Sequence, residues 1–408
     1  MKRTYGLVVL CLALVVVPGS VGCPATARAS RTATASPPVV KGNTAFALDL
    51  YAELRSGEGN LFFSPLSIST ALAMTYAGAR GDTAKEMGTV LHIPAQDKNV
   101  HGSFGALVRQ LNDLNGTGGC EVSIANALWG QRGYRFLREF TNLVSDNYDA
   151  GMREVDFAAS EAARRTINDW VAQETRDKIQ DLIPPGVLDA MTRLVLTNAI
   201  YFKGNWVEQF DKKLTKGAPF LCGSGTKVPV PMMHKTAHFG YLAGKGFQAL
   251  ELPYKGEALS MVVFLPEKAD GLSAFERSLT PANLDGWLKS LRKREVSVYL
   301  PRFKTTVRFE LRPTLARMGM PLAFSNAADF SGMDGTHDLF ISNVIHKAFV
   351  DVNEEGTEAA AATAVVMALK GISEPPPVFR ADHPFVFLIR DRKSGSILFL
   401  GRVVNPKR

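Results

Sequence analysis

The sequence predicts one α+β domain over residues 42–408, with large mixed or antiparallel β-sheets and surrounding helices. Helical periodicity dominates its first part and buried-strand patterns its later part, and no stretch of linker composition interrupts residues 43–408. No repeat of fixed period is visible, which sets aside solenoids and propellers. With 46% hydrophobic and 21% charged residues, the composition is that of a soluble globular protein, not of a disordered, collagenous or coiled-coil chain. The formal net charge of +8 is spread along the chain instead of forming a block, so no nucleic-acid partner is expected.

Met1-Lys2-Arg3 is a basic start and Leu7 to Val17 an apolar run too short to span a bilayer, so residues 1–23 read as an export signal. Ser20-Val21-Gly22-Cys23 offers a lipid attachment site on Cys23 of bacterial lipoprotein type, although Ser20 stands where an aliphatic residue is usual. Ala27-Arg28-Ala29 offers an ordinary cleavage site and free secretion instead. Either route places the protein outside the cell or on its envelope. Residues 24–41, rich in Ala, Thr, Ser and Pro with no apolar period, read as a flexible linker. Outside this leader only Cys120 and Cys222 remain; the body must be stabilised by its core, and no bridge between them is expected.

Phe46, Leu50 and Leu54 recur at helical spacing, and Ser64-Pro65-Leu66-Ser67 announces a second helix, with Pro suited to a first turn. Ile167 to Gln180 has helical periodicity. Leu194 to Phe202, Ala258 to Leu265 and Glu295 to Leu300 read as strands. A third helical region near Ser103 to Leu114 carries only Arg109 as a cation and so gives no basic face for a polyanion.

Residues 354–370 form a small-residue run ending before Pro375-Pro376-Pro377. Alanine favours helix, but the run has few polar residues for a solvent face, and its Thr and Val suit an extended chain. Read with period two, Thr357, Ala359, Ala361, Thr363, Val365 and Met367 make an uncharged face that can be buried. The opposite face carries Glu358, Ala360, Ala362, Ala364, Val366 and Ala368, small enough near its start to slide between neighbouring strands. A loop that supplies its own buried face, bounded by Gly356 and by prolines, has what a late, switchable strand requires.

This run resembles the reactive-centre loop and hinge of inhibitory serpins. Asn60 to Ile68 is similar to that family's second-helix motif, and Leu196 to Trp206 to its central-strand motif. Val230-Pro231-Met232-Met233, Phe324 to Gly332, His346-Lys347-Ala348 and Asp382-His383-Pro384-Phe385 follow in family order, so the resemblance covers about residues 43–406. It implies a metastable, monomeric inhibitor with no cofactor, metal or catalytic residue of its own, whose exposed loop inserts as a strand after cleavage. In keeping with this, the chain has no Gly-x-Ser-x-Gly, His-Glu-x-x-His or Walker motif.

Counting from the first hinge residue, the resemblance places the scissile bond at Lys370-Gly371 and the hinge over Glu354, Glu355, Gly356, Thr357, Glu358, Ala359, Ala360, Ala361, Ala362 and Thr363. Lys370 implies a trypsin-like serine protease, held as a covalent acyl-enzyme; a register one residue earlier would present Leu369 to chymotrypsin-like or elastase-like enzymes. The resemblance also assigns control of sheet opening to Ser64, Ser67, Asn198 and His346, with Trp206 where insertion begins. Taken alone, His346 reads as a satisfied core histidine and Trp206 as plain core. The rival reading is a non-inhibitory carrier or chaperone on the same fold, for which a bulky or charged inward hinge residue is expected.

Overall fold

The computed structural model describes residues 37–94, 97–114, 119–148, 152–357 and 374–407. Their helices are α1 (Pro37–Leu54), α2 (Pro65–Tyr76), α3 (Gly81–Val90), α4 (Val100–Asn112), α5 (Arg138–Tyr148), α6 (Ser160–Glu174), α7 (Leu272–Arg277), α8 (Pro281–Ser290), α9 (Arg312–Met318) and α10 (Ser331–Asp334). The early strands are β1 (Leu61–Phe63), β2 (Cys120–Gln131), β3 (Met152–Val155), β4 (Leu194–Asn205), β5 (Lys216–Leu221), β6 (Lys227–Gly244) and β7 (Phe247–Pro253). The rest are β8 (Leu259–Pro266), β9 (Arg292–Pro301), β10 (Phe303–Glu310), β11 (Asn343–Val352), β12 (Gly356–Thr357), β13 (Val378–Arg380), β14 (Phe385–Asp391) and β15 (Ile397–Val403).

These strands make two sheets. The larger runs β1-β15-β14-β8-β7-β6-β9-β13 with β5 added to β6, and the smaller runs β10-β11-β12-β4-β2-β3. Most pairings are antiparallel, but β11 runs parallel to β4, β2 to β3 and β13 to β9, so both sheets are mixed. β4 is buried along nearly its whole length, as its Leu, Val and Ile content dictates for a strand covered on both faces. One face packs Ile200 and Phe202 into a core shared with the larger sheet. The other packs Ala199 and Tyr201 under α6 and the segment after it. α2 is buried on almost every side; Ser64 caps it by accepting from the Ser67 N–H, with Pro65 in the first turn.

Several boundaries differ from the sequence expectation. α1 begins at Pro37, so residues 37–41 of the expected linker are helical and Val39 and Val40 are buried. The helix expected over Ile167 to Gln180 is α6, which ends at Glu174. The region near Ser103 is the fourth helix, not the third. No disulfide joins Cys120 and Cys222.

Candidate functional site

The site lies along the seam where β4 and β11 run side by side. They pair in parallel from Val195↔Asn343 to Tyr201↔Phe349, then diverge, and β12 lies between their ends. Thr357 pairs with Val352 on β11 and with Gly204 on β4, antiparallel to both. Residues assigned to an exposed hinge are therefore already strand, which corrects the expectation that Thr357 joins the sheet only after cleavage.

Two glycines make this approach possible. A Cβ on Gly356 would meet the Gly204 carbonyl oxygen at 1.9 Å, and one on Gly204 would meet the Tyr254 ring at 2.7 Å. Thr357 is fully buried, its hydroxyl 2.8 Å from the Tyr254 hydroxyl. Tyr254 in turn stacks on Trp206, with ring centroids 4.5 Å apart, and meets Phe202 edge-on.

Above the slot, the chain turns through Asn353, Glu354 and Glu355. The Trp206 N–H donates to the Glu355 carbonyl at 2.9 Å and its indole Nε1 to the Asn353 carbonyl at 3.0 Å, so Trp206 holds this turn in place. The Glu354 side chain is 1% exposed, and Arg302 Nε lies 2.7 Å from each of its carboxylate oxygens. Thr215 adds a hydroxyl donor at 2.5 Å. Burial alone would raise the Glu354 pKa, but the Arg302 and Thr215 hydrogen bonds more than offset it and hold the carboxyl below its ordinary value. Glu355 pairs with Lys212.

Lower in the seam sits a closed polar cluster. His346 Nε2 accepts from the Ser64 N–H at 3.1 Å, so Nδ1 carries the proton and donates to Asn198 Oδ1. Asn198 Nδ2 donates to Ser67 Oγ at 2.7 Å and to Asn126 Oδ1 at 2.6 Å, and Ser67 Oγ donates to Asn126 Oδ1 at 2.8 Å. Burial depresses the His346 pKa to about 3, with the Asn198 hydrogen bond opposing it only in part. Since His346 and Asn198 are register partners on β11 and β4, the cluster ties the two strands across the seam.

The structure thus brings together Ser64, Ser67, Asn198 and His346 at the latch, and Glu354, Glu355, Gly356, Thr357 and Trp206 at the slot. Glu358, Ala359, Ala360, Ala361, Ala362, Thr363, Lys370 and Gly371 lie outside the described residues. Sequence reasoning missed Arg302, Thr215, Tyr254 and Asn126. Only Asn126 carried a signal, as an amide between Ala125 and Ala127 in a strand of otherwise small and apolar residues.

The family profile described as Serpin (serine protease inhibitor) matches residues 41–406. The chain belongs to the serpin family. Among curated serpins, the human leukocyte elastase inhibitor is 46% identical over 89% of this chain and 98% of its own length. An uncharacterised serpin-like protein of Thermococcus kodakarensis is 44% identical over 91% of this chain and 86% of its own. Among solved structures, human thyroxine-binding globulin complexed with its hormone superposes with a TM-score of 0.82 at 32% identity, covering 91% of this chain and all of that one. The slot and latch are thus features of a serpin sheet, and the serpin relatives include both a protease inhibitor and a hormone-binding protein.

Proposed function

We propose that this serpin inhibits a trypsin-like serine protease as a suicide substrate, with Lys370-Gly371 as the reactive bond. The observation that carries the reading is the pairing of Thr357 between β4 and β11. If the loop inserts in that register, Ala359 would fall between Val350 and Phe202, and Ala361 between Ala348 and Ile200. Thr363, six residues on from Thr357, would fall between His346 and Asn198, six back from Val352 and Gly204. A threonine hydroxyl arriving there can replace the hydrogen bond that its arrival breaks, so the latch opens without leaving buried polar groups unpaired. Small uncharged residues at every inward position up to Thr363 favour insertion over the carrier reading.

In the reaction, the protease serine oxygen forms an ester with the Lys370 carbonyl carbon. The bond to the Gly371 nitrogen breaks, and the new amine leaves with a proton. The segment 356–369, of which Gly356 and Thr357 are already strand, then completes its insertion and carries the tethered protease away before water completes hydrolysis. The Lys370 ammonium matches the buried carboxylate of a trypsin-like specificity pocket. The basic start and apolar run of residues 1–23 support action outside the cell or on its envelope, with lipid on Cys23 as one means of anchorage.

Incubation with trypsin followed by denaturing electrophoresis tests the function. A band at the summed mass is expected; complete cleavage without such a band would favour the carrier.

A further inference from the structure

We propose that Arg292, Lys293 and Arg294, at the start of β9, form an exosite that draws the target protease onto the reactive loop through an acidic patch beside its cleft. The inference rests on the inhibitor reading above and adds a second contact to it. Although the net charge is spread along the chain, three cations stand in a row here, just after Lys289 at the end of α8. Lys289 is answered by Asp285 at 2.7 Å, whereas Arg292, Lys293 and Arg294 pair with no carboxylate among the described residues. All three are exposed, as is Glu295, and only from Val296 onward does β9 bury alternate side chains. The strand β6 fixes the row, with Arg292 opposite Tyr241, Lys293 opposite Gly240 and Arg294 opposite Phe239. Arg292 Nη1 donates to the Lys289 carbonyl at 2.7 Å and to the Leu291 carbonyl at 3.0 Å. The Arg294 guanidinium lies over the Tyr241 ring, 5.6 Å from its centroid. Two of the three charges are thus held in place before any partner arrives, which lowers the entropy lost on docking.

The row lies where the loop rejoins the body. β13 pairs in parallel with β9 from Val378↔Ser297 to Arg380↔Tyr299, and the Ser297 N–H donates to the Pro377 carbonyl at 2.9 Å. Pro375, Pro376 and Pro377 have no N–H with which to extend this ladder, so it stops there. Because the two strands run parallel, the chain preceding Val378 approaches from the end of β9 that carries the cations. Lys370 stands seven residues before Pro377, at most about 25 Å of extended chain. A globular protease of roughly 200–250 residues is about 45 Å across, so one seated on Lys370-Gly371 has its surface within reach of the row. Exposed charges act there chiefly on the rate of encounter: a complementary field speeds association about tenfold or more, and salt screens it. A protease with a basic surface meets repulsion at the same place, so the row sorts proteases that share one specificity pocket.

The test uses the intact protein and two trypsins, one anionic and one cationic at neutral pH, which share a Lys-binding pocket and differ in surface charge. The rate of covalent complex formation is measured with each at low salt and at about 1 M salt, where screening acts within about 3 Å. Lowering the salt should raise the anionic-to-cationic rate ratio about tenfold. Arg292→Glu with Lys293→Glu should abolish that rise. Lys85→Glu with Arg165→Glu, exposed positions on α3 and α6, changes the net charge equally and should leave it in place. A rise that survives in the first variant, or is lost equally in the second, would overturn the exosite and leave the inhibitor reading standing. Salt-dependent retention on a polysulfate resin, lost in the first variant, with no salt effect on the ratio, would assign the row to a polyanion and overturn the proposal. Absence of a covalent complex with either trypsin at any salt would overturn the inhibitor reading and the exosite with it.

Discussion

The hydroxyls of Thr357 and Tyr254 lie 2.8 Å apart in a fully buried slot, so the first inward residue of the hinge is already part of the sheet. In the proposed mechanism insertion therefore begins from a formed nucleus. Each further residue has only to extend a ladder whose register is set by Val352 and Gly204.

The slot makes position 357 intolerant of charge. Thr357→Arg should turn the inhibitor into a substrate, because seating a cation beside Tyr254 and Phe202 costs on the order of several kcal/mol. Cleavage is untouched, so the stoichiometry of inhibition should rise steeply with no stable complex. Glu358→Arg lies on the opposite face of the alternating run. On insertion the continued register would put it between Asp351 and Lys203, both half-buried, where the new charge would meet one partner and one repellent. Its effect should be much smaller, and equal impairment by the two substitutions would contradict the period-two insertion.

Arg302 secures the turn above the slot. Arg302→Met strands the buried Glu354 carboxylate and should destabilise the protein by about 3 kcal/mol, read as a lowered urea midpoint. Arg302→Met with Glu354→Gln removes the stranded charge and should recover part of the loss. No loss in the single variant would show that the pair contributes nothing.

The latch predicts an acid sensitivity of definite sign. His346 has its folded pKa depressed from 6.5 to about 3, so its contribution is whole above 6.5 and is lost as pH falls toward 3. Melting temperature should decline over that window in the wild type and less steeply in His346→Gln. His383 works in the opposite sense: burial lowers its pKa, but Asp382 and the Pro266 carbonyl raise it further, so its contribution fades as pH rises past its ordinary value. Identical slopes for wild type and His346→Gln would remove His346 from the account.

In the proposed mechanism Lys370 sets the target. Lys370→Glu should abolish inhibition of trypsin-like proteases, because its carboxylate would meet the pocket's own carboxylate. Unchanged inhibition would show that another residue, Leu369 first, is read.

Features set by local patterning were legible in the sequence: the buried run of β4 and the Ser64-Pro65 start of α2. Arg302, Thr215 and Tyr254 were not, because each reaches the slot only through tertiary pairing far along the chain. The end of α6 misled for a specific reason. Ile179, Leu182 and Ile183 keep an apolar spacing that continues the helical pattern, but they are buried by the segment that Arg176 and Asp177 fold back over the sheet. At the other end, Pro37 and Pro38 resemble linker composition yet sit in the first turn of α1, where proline costs no hydrogen bond.

The central claim is that the loop completes the strand that Gly356 and Thr357 begin. Thermal unfolding before and after limited cleavage by a trypsin-like enzyme, with mass spectrometry locating the new C-terminus at Lys370, tests it most directly. The cleaved protein should melt at a markedly higher temperature, since it gains a full ladder of hydrogen bonds and buried side chains between β4 and β11. An unchanged midpoint after cleavage at Lys370 would contradict it.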